Sequence, residues 1–302
     1  MIDGNQTGFI RTLGRWDVLA LSFGAMIGWS WVLLTGRWIE DAGTMGAVIA
    51  FIVGGLAIVF VGLTYAELAS AMPHAGGEHV YAHKAYGANY SFICTWAIVL
   101  AYTATSAFES VALPSVVTYI FPNFNQYYLW TVAGWDVYLT PLLLAIGASI
   151  AITWINVIGI KTAAFLQSLT TIFILIGGVV FLTGATLNGT SQNMDPIFTG
   201  GLSGILMVLV LVPTMMVGFD VIPQSAEEID LPFNEVGKLV MVSVVLAALW
   251  YILMIIGVGL SLGDEGRGSA KLVTADAAAA AWGSPNMGIA LVLAGMMGII
   301  TS

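Results

Sequence analysis

Long apolar runs separated by short polar gaps organise this chain. Continuous apolar stretches lie near Asp17–Thr35, Met45–Tyr65, Ser91–Ile120, Val137–Val157, Ala163–Ala185, Ser203–Pro223 and Gly237–Leu260. An eighth begins near Asn286 and is still apolar at Ser302, where the sequence stops. A bilayer core about 30 Å thick is crossed by about 20 helical residues. Seven stretches therefore predict complete membrane-spanning helices, and the last an incomplete one. Barrel strands alternate apolar with polar residues, and these runs do not. The pattern predicts an all-α integral membrane protein. No gap is long enough for a soluble domain; the longest, Ser261–Pro285, carries the alanine run Ala277–Ala281 and predicts a short surface helix.

Two spans are interrupted. Span one holds Gly24-Ala25-Met26-Ile27-Gly28-Trp29-Ser30, and span six holds Pro213-Thr214-Met215-Met216-Val217-Gly218-Phe219-Asp220. Proline removes a helical hydrogen bond and glycine permits unwound dihedrals. Backbone groups freed in this way cannot face lipid, so they belong beside a protein-lined cavity. Spans one and six also open two possible five-helix repeats, and paired interruptions in two halves point to a binding site between them. The pairs Gly54-Gly55 and Gly177-Gly178 read instead as places where helices pack closely.

Composition agrees with a membrane protein. Of 302 residues, 59% are hydrophobic and 8% charged, against about 25% charged in a soluble domain. Seventeen acids against eight bases give a net charge of −9, which excludes a nucleic-acid footprint. The single cysteine, Cys94, can form no internal disulfide and reads as a helix-packing residue. Residues 1–16 lead into span one without a small-residue cleavage site, so they read as a cytoplasmic segment and not a signal peptide. Arg11, Arg15, Lys84, Lys161 and Lys238 on one side against Arg37, Arg267 and Lys271 on the other predict the N-terminus inside; the expected location is a plasma (inner) membrane. The aromatic cluster Tyr127, Tyr128, Trp130, Trp135 and Tyr138 falls in an outer loop. His74, His79 and His83 share one solvated loop with no metal-ligand spacing. Neither a Ser-His-Asp set nor a nucleotide motif is present, so the sequence does not read as an enzyme.

Several segments in register resemble one family. Tyr65-Ala66-Glu67-Leu68-Ala69-Ser70-Ala71-Met72-Pro73, then Ala75-Gly76-Gly77-Glu78 and Tyr81, is similar to the second-helix exit and cytoplasmic loop of amino acid–polyamine–organocation permeases. Asn156-Val157-Ile158-Gly159-Ile160-Lys161 resembles their junction between helices four and five. Gly218-Phe219-Asp220, then Ala226-Glu227-Glu228-Ile229 and Pro232, resembles their broken sixth helix and the loop beyond. The resemblance implies a LeuT-type fold of two inverted five-helix repeats: residues 17–185 as the first, residues 203–302 as an incomplete second. It implies a secondary transporter for an amino acid or small amine working by alternating access. The rival reading is a transport-silent sensor with the same fold. With helices missing from the second repeat, the expectation is a fragment that does not transport alone.

Carried over from relatives, the substrate carboxylate goes to Gly28, Trp29 and Ser30, with Ala25 and Met26 beside them. The amine and side-chain wall falls to Met215, Met216, Val217 and Gly218. The family commonly shows Gly-Ser-Gly where this chain has Gly28-Trp29-Ser30. Trp29 either fills the carboxylate pocket, which favours a small substrate or an ethanolamine-like amine, or turns into a neighbouring helix.

Charges inside spans are costly and are functional candidates. Glu109 shares a polar stripe with Tyr102 and Ser106 on span three; at about 1.5 Å per residue it lies about 27 Å along, in an outer vestibule. Asp220 either orients the unwound segment, receives a proton, or caps the half-helix that follows. Glu67, at the end of span two, reads as a gate or loop-packing residue. Some cationic amino acid relatives carry a helix-five lysine, and none stands between Ala163 and Ala185. Coupling then has two readings: a sodium ion held by carbonyls near Ala25 and Gly28 with the hydroxyls of Thr301 and Ser302, which is favoured, or proton uptake at Glu109 or Asp220.

Overall fold

The computed structural model describes residues 11–301. Span one is α1 (Arg15–Ile27), a short α2 (Ser30–Leu33) and α3 (Thr35–Ala42). Then follow α4 (Thr44–Ala71), α5 (Glu78–Tyr86), α6 (Ala88–Ile120), α7 (Leu139–Ile158) and α8 (Ile160–Asn188). Span six is α9 (Gly201–Met215) with a separate α10 (Val221–Gln224). The chain continues through α11 (Phe233–Ser261), α12 (Asp264–Ser269), α13 (Val273–Trp282) and α14 (Pro285–Thr301). Among the described residues, five segments are long and apolar enough to cross a membrane; the helices Leu139–Ile155, Gly201–Met215 and Pro285–Ile299 are apolar but shorter.

The core is built around α1, which packs on α8, α11 and α14, while α4 lies against α9 and along α11. Small residues allow this closeness. A Cβ on Gly54 would sit 2.7 Å from Val212, and one on Gly178 would sit 2.2 Å from the Trp250 ring. The glycine pairs therefore work as helix-packing surfaces. The outward faces stay apolar: Val111 on α6 is 77% exposed and Val210 on α9 is 74% exposed. Patches of that kind are not left facing water, which fits a lipid surroundings for the bundle.

Two expectations change here. The aromatic outer loop is a β-hairpin, β1 (Tyr128–Val132) paired antiparallel with β2 (Trp135–Tyr138). Ala133 and Gly134 both have positive φ, 49° and 86°, as a two-residue hairpin turn matching strand twist requires. The alanine run is not a surface helix. Ala275, Ala277, Ala278 and Ala281 of α13 are buried, and Thr274 donates to the Trp31 carbonyl at 2.9 Å. Alanine stretches look alike on a surface and in a tight helix contact; only the partner distinguishes them.

Candidate substrate-binding site

The interruptions are narrower than the sequence indicates. α1 stays helical through Gly24, Ala25 and Met26, and the chain leaves the helix at Gly28 and Trp29. In span six the helix runs through Pro213 to Met215, and the open stretch is Met216 to Asp220. The two openings meet. Gly218 has φ 126° and is packed so closely on span one that a Cβ there would lie 2.8 Å from Ala25 Cβ and 3.0 Å from Met26 N. A residue with a side chain fits neither that dihedral nor that gap.

One phenol ties both breaks. The hydroxyl of Tyr251, a fully buried residue of α11, lies 2.8 Å from the Met26 carbonyl, 3.0 Å from the Met215 carbonyl and 2.8 Å from Ser30 Oγ. Its ring is held between Trp38 and Phe51. Tyr251→Phe should cost about 1–3 kcal/mol, because buried acceptors on both breaks lose their donor; a thermal-melt comparison in detergent checks this.

Beside the breaks, Glu109 on α6 is only 6% exposed and accepts the Trp29 backbone N–H at Oε1, 3.3 Å away. A carboxylate of the protein itself thus takes one of the amides freed by the first break. The two breaks and α6 enclose a cavity of about 300 Å³ whose walls include Met26, Gly28, Thr105, Phe108, Glu109 and Val217. A second cavity of about 190 Å³ adjoins it through Ala25, Thr105 and Val217, and is lined by Tyr102, Gln167 and Gly218. No lysine, arginine or histidine lines either cavity among the described residues. An apolar, concave space with a few converging polar groups is what a small-molecule site requires.

The sequence model for amino acid permeases matches residues 13–302. The chain belongs to the amino acid permease family. Among similar proteins, the branched-chain amino acid permease BcaP of Bacillus subtilis (strain 168) is 26% identical over 80% of this chain and 53% of the relative. The amino-acid permease RocE of the same organism is 26% identical over 84% of this chain and 54% of its own length. Cationic amino acid transporter 4 of Mus musculus is 26% identical over 82% and 40% respectively. The chain spans about half the length of the curated relatives it matches.

Of the candidate substrate-binding residues, Ala25, Met26, Gly28, Ser30, Met215 and Val217 line the larger cavity, while Ser106 and Gly218 line the smaller. Met216 does not; it is fully buried in the core. Trp29 turns into the neighbouring helix: its fully buried ring packs on α14, where a Cβ on Gly295 would lie 2.7 Å from Trp29 Cζ3. The carboxylate-pocket alternative for this indole is therefore set aside. Trp29→Ala should destabilise the fold by about 3–5 kcal/mol and leave the ranking of ligands unchanged, as a thermal-shift panel would show.

Glu109 is not a vestibule group. Depth counted along one helix does not fix the level at which its neighbour opens, and the carboxylate meets the first break directly. Asp220 precedes α10 but does not cap it; Oδ1 reaches back to the Gly218 N–H at 3.1 Å, so it orients the unwound segment. Glu67 is exposed near the end of α4. The three histidines are exposed, but only His74 lies in the loop, 3.6 Å from Glu227; His79 and His83 lie in α5, with His79 Nδ1 2.8 Å from Thr95 Oγ1. Of the sodium donors, the Gly28 carbonyl faces α14, where a Cβ on Gly298 would come within 2.1 Å of it. The Thr301 side chain and Ser302 lie outside the described residues.

Three residues escaped the sequence reading. Tyr251 sits mid-span beside Trp250, with only its polarity to mark it. Gln167, on α8, places its amide 3.5 Å from the Ala20 and Leu21 carbonyls, ahead of the first break. Glu78 lay inside a quoted motif, but was given no role.

Proposed function

We propose that this chain is the substrate-binding part of a secondary carrier for a small amino acid or amine, working by alternating access. The observation that carries the reading is the contact of two broken helices, Gly218 on Ala25 and Met26, beside a cavity with a single buried carboxylate. Broken helices that meet around a cavity are the recurrent binding device of membrane carriers. The relatives' names, permeases and transporters of amino acids, point the same way.

The contact between Glu109 and the Trp29 amide favours proton coupling over sodium. A substrate carboxylate entering at the first break displaces Glu109 from that amide. Two carboxylates side by side in a buried site do not both stay ionised, so Glu109 takes a proton as the substrate binds. An amine without a carboxylate would instead pair with Glu109 in its ionised form. A thermal-shift panel of amino acids and amines on the purified chain, and proteoliposome uptake by the whole carrier of which it is part, test the reading. Stabilisation by neutral amino acids with proton-driven uptake that survives replacement of sodium by choline is expected. A protein stabilised by none of them, or uptake that collapses in choline, would overturn it.

We infer that the N-terminus lies inside. Supporting this, three segments predicted cytoplasmic are bound to one another: Leu13 N–H donates to the Glu228 carbonyl at 3.1 Å, Arg15 pairs with Glu235, and Gly76 N–H donates to the Gln224 carbonyl at 3.3 Å. Single cysteines at Ala85 and Asp230, in a chain with Cys94→Ala, should both resist a membrane-impermeant thiol reagent added to intact cells and react after permeabilisation. Labelling of either from outside would reverse the topology.

A further inference from the structure

Outside the cavity, a chain of polar side chains links the loop before α5 to the second break. Glu78, the first residue of α5, is 7% exposed. Its Oε2 accepts from Gln224 Nε2 at 3.3 Å, and the same nitrogen donates to Asp220 Oδ2 at 3.2 Å. The Tyr102 hydroxyl donates to that Oδ2 at 2.7 Å, and the Gly218 N–H donates to Oδ1. Backbone contacts run alongside: Gly76 N–H reaches the Gln224 carbonyl, and Gly77, at φ 42°, lies so near that a Cβ would be 3.4 Å from Gln224 N. The turn Gly76-Gly77 is thus clasped onto α10, directly behind the wall that Tyr102 and Gly218 give to the smaller cavity.

The charges in this cluster do not balance. Facing Glu78 are Tyr65 from α4, Cys94 from α6 and Tyr81 from its own helix, with Asp220 beyond Gln224 and Tyr102 beside Asp220. Its neighbour His79 is engaged instead by Ser91 and Thr95. Among the described residues, none of the groups facing Glu78 is a cation. Two carboxylates bridged by one neutral amide disfavour each other's ionised form. Asp220 accepts three donors, from Tyr102, Gly218 and Gln224; Glu78 accepts from Gln224, and its Oε1 is shielded from solvent beside the Tyr65 hydroxyl. Burial, with the charge on Asp220 adding to it, pushes the Glu78 carboxyl above the usual carboxylate range.

We propose that Glu78, Gln224 and Asp220 form a one-proton latch that holds the Gly76-Gly77 turn over this face of the binding site and lets go when the proton leaves. On release the Glu78 O–H bond breaks, the proton passes to water on the N-terminal face, and the new carboxylate is driven toward solvent by its own hydration and by Asp220. The sign follows from the raised carboxyl. The latched form is favoured while Glu78 is protonated, and is lost as pH rises through its elevated value. What the latch gates rests on the carrier reading above, but its proton and its motion can be measured without transport.

The 302-residue chain with Cys94→Ala, spin-labelled at Ala85→Cys and Asp230→Cys in nanodiscs, reports the separation of α5 from the loop after α10. The open-to-closed ratio should rise by up to about tenfold per pH unit above the Glu78 transition, with a one-proton slope. Glu78→Gln should stay closed at all pH, Glu78→Asp should restore the slope, and Gln224→Leu should be open throughout. Infrared difference spectra should show one protonated carboxylic acid lost in Glu78→Gln. A wild-type slope in Glu78→Gln, or an unchanged carboxyl band, would overturn the latch. A latch that behaves as described in a protein that neither binds nor moves any amino acid or amine would sink the carrier reading alone.

Discussion

Glu109→Gln should give a protein that still binds its ligand but no longer links binding to pH. The glutamine keeps the size of a protonated glutamate and can leave the Trp29 amide to an incoming carboxylate without taking up a proton. In the wild-type chain, ligand affinity should fall by up to about tenfold per pH unit once Glu109 ionises, because a proton must then be found for each ligand bound. In the variant the affinity should be flat over the same range. Titration calorimetry in two buffers of different ionisation enthalpy measures the difference: about one proton taken up per ligand before the substitution and none after it. In proteoliposomes of the whole carrier, accumulation driven by a pH gradient should vanish while exchange of labelled for unlabelled substrate persists. Loss of exchange as well as accumulation would make Glu109 a direct ligand of the substrate and not a coupling group. For an amine lacking a carboxylate the sign reverses: the variant should then lose affinity by about the 1.5–3 kcal/mol of a charge-assisted hydrogen bond.

The sequence made the eight apolar segments, their order and the two interrupted ones legible, because length, glycine and proline act through the backbone and need no partner. Gly218 stood out for that reason, and so did the Gly28-Trp29-Ser30 turn. Side-chain direction did not. Trp29 lies where the helix opens, so the 3.6-residue period that assigns faces stops one residue before it. The pattern left its direction open; the neighbour, Gly295 on α14, is 266 positions away. Glu109 was recognised as costly, but its partner could not be named, since nothing in α6 says at which level another helix opens. Tyr251 and Gln167 are single polar residues in apolar runs, and many such residues only bond to their own helix, as Thr64 and Thr103 do here. Glu78 was overlooked in favour of Glu67 because both lie near the end of span two. The turn at Gly76 and Gly77 buries the first while the end of α4 leaves the second exposed.

Gly218→Ala should remove ligand binding altogether, and the reason lies in two constraints that act together. At φ 126° a residue with a Cβ is strained whatever space surrounds it, at a cost of about 1–3 kcal/mol. Here there is no space either: the methyl would stand 2.8 Å from Ala25 Cβ and 2.9 Å from the Ala25 carbonyl carbon. Backbone does not yield as the end of a flexible side chain does. Relief would come from parting the two breaks, which moves Val217 and Gly218 away from Ala25 and Met26 and pulls Tyr251 off one of the two carbonyls it spans. The cavity between the breaks would lose its shape while the packed helices α4, α9 and α11 stay in contact. The expected result is a melting temperature lowered by several degrees, unchanged helix content by circular dichroism, and ligand affinity down at least a hundredfold, about 2.7 kcal/mol. Ala25→Gly, added to Gly218→Ala, removes the nearest colliding atom and should recover part of the affinity. The double variant binding no better than Gly218→Ala alone would show that the dihedral dominates. A single variant that binds normally would mean the contact between the two breaks does not shape the site.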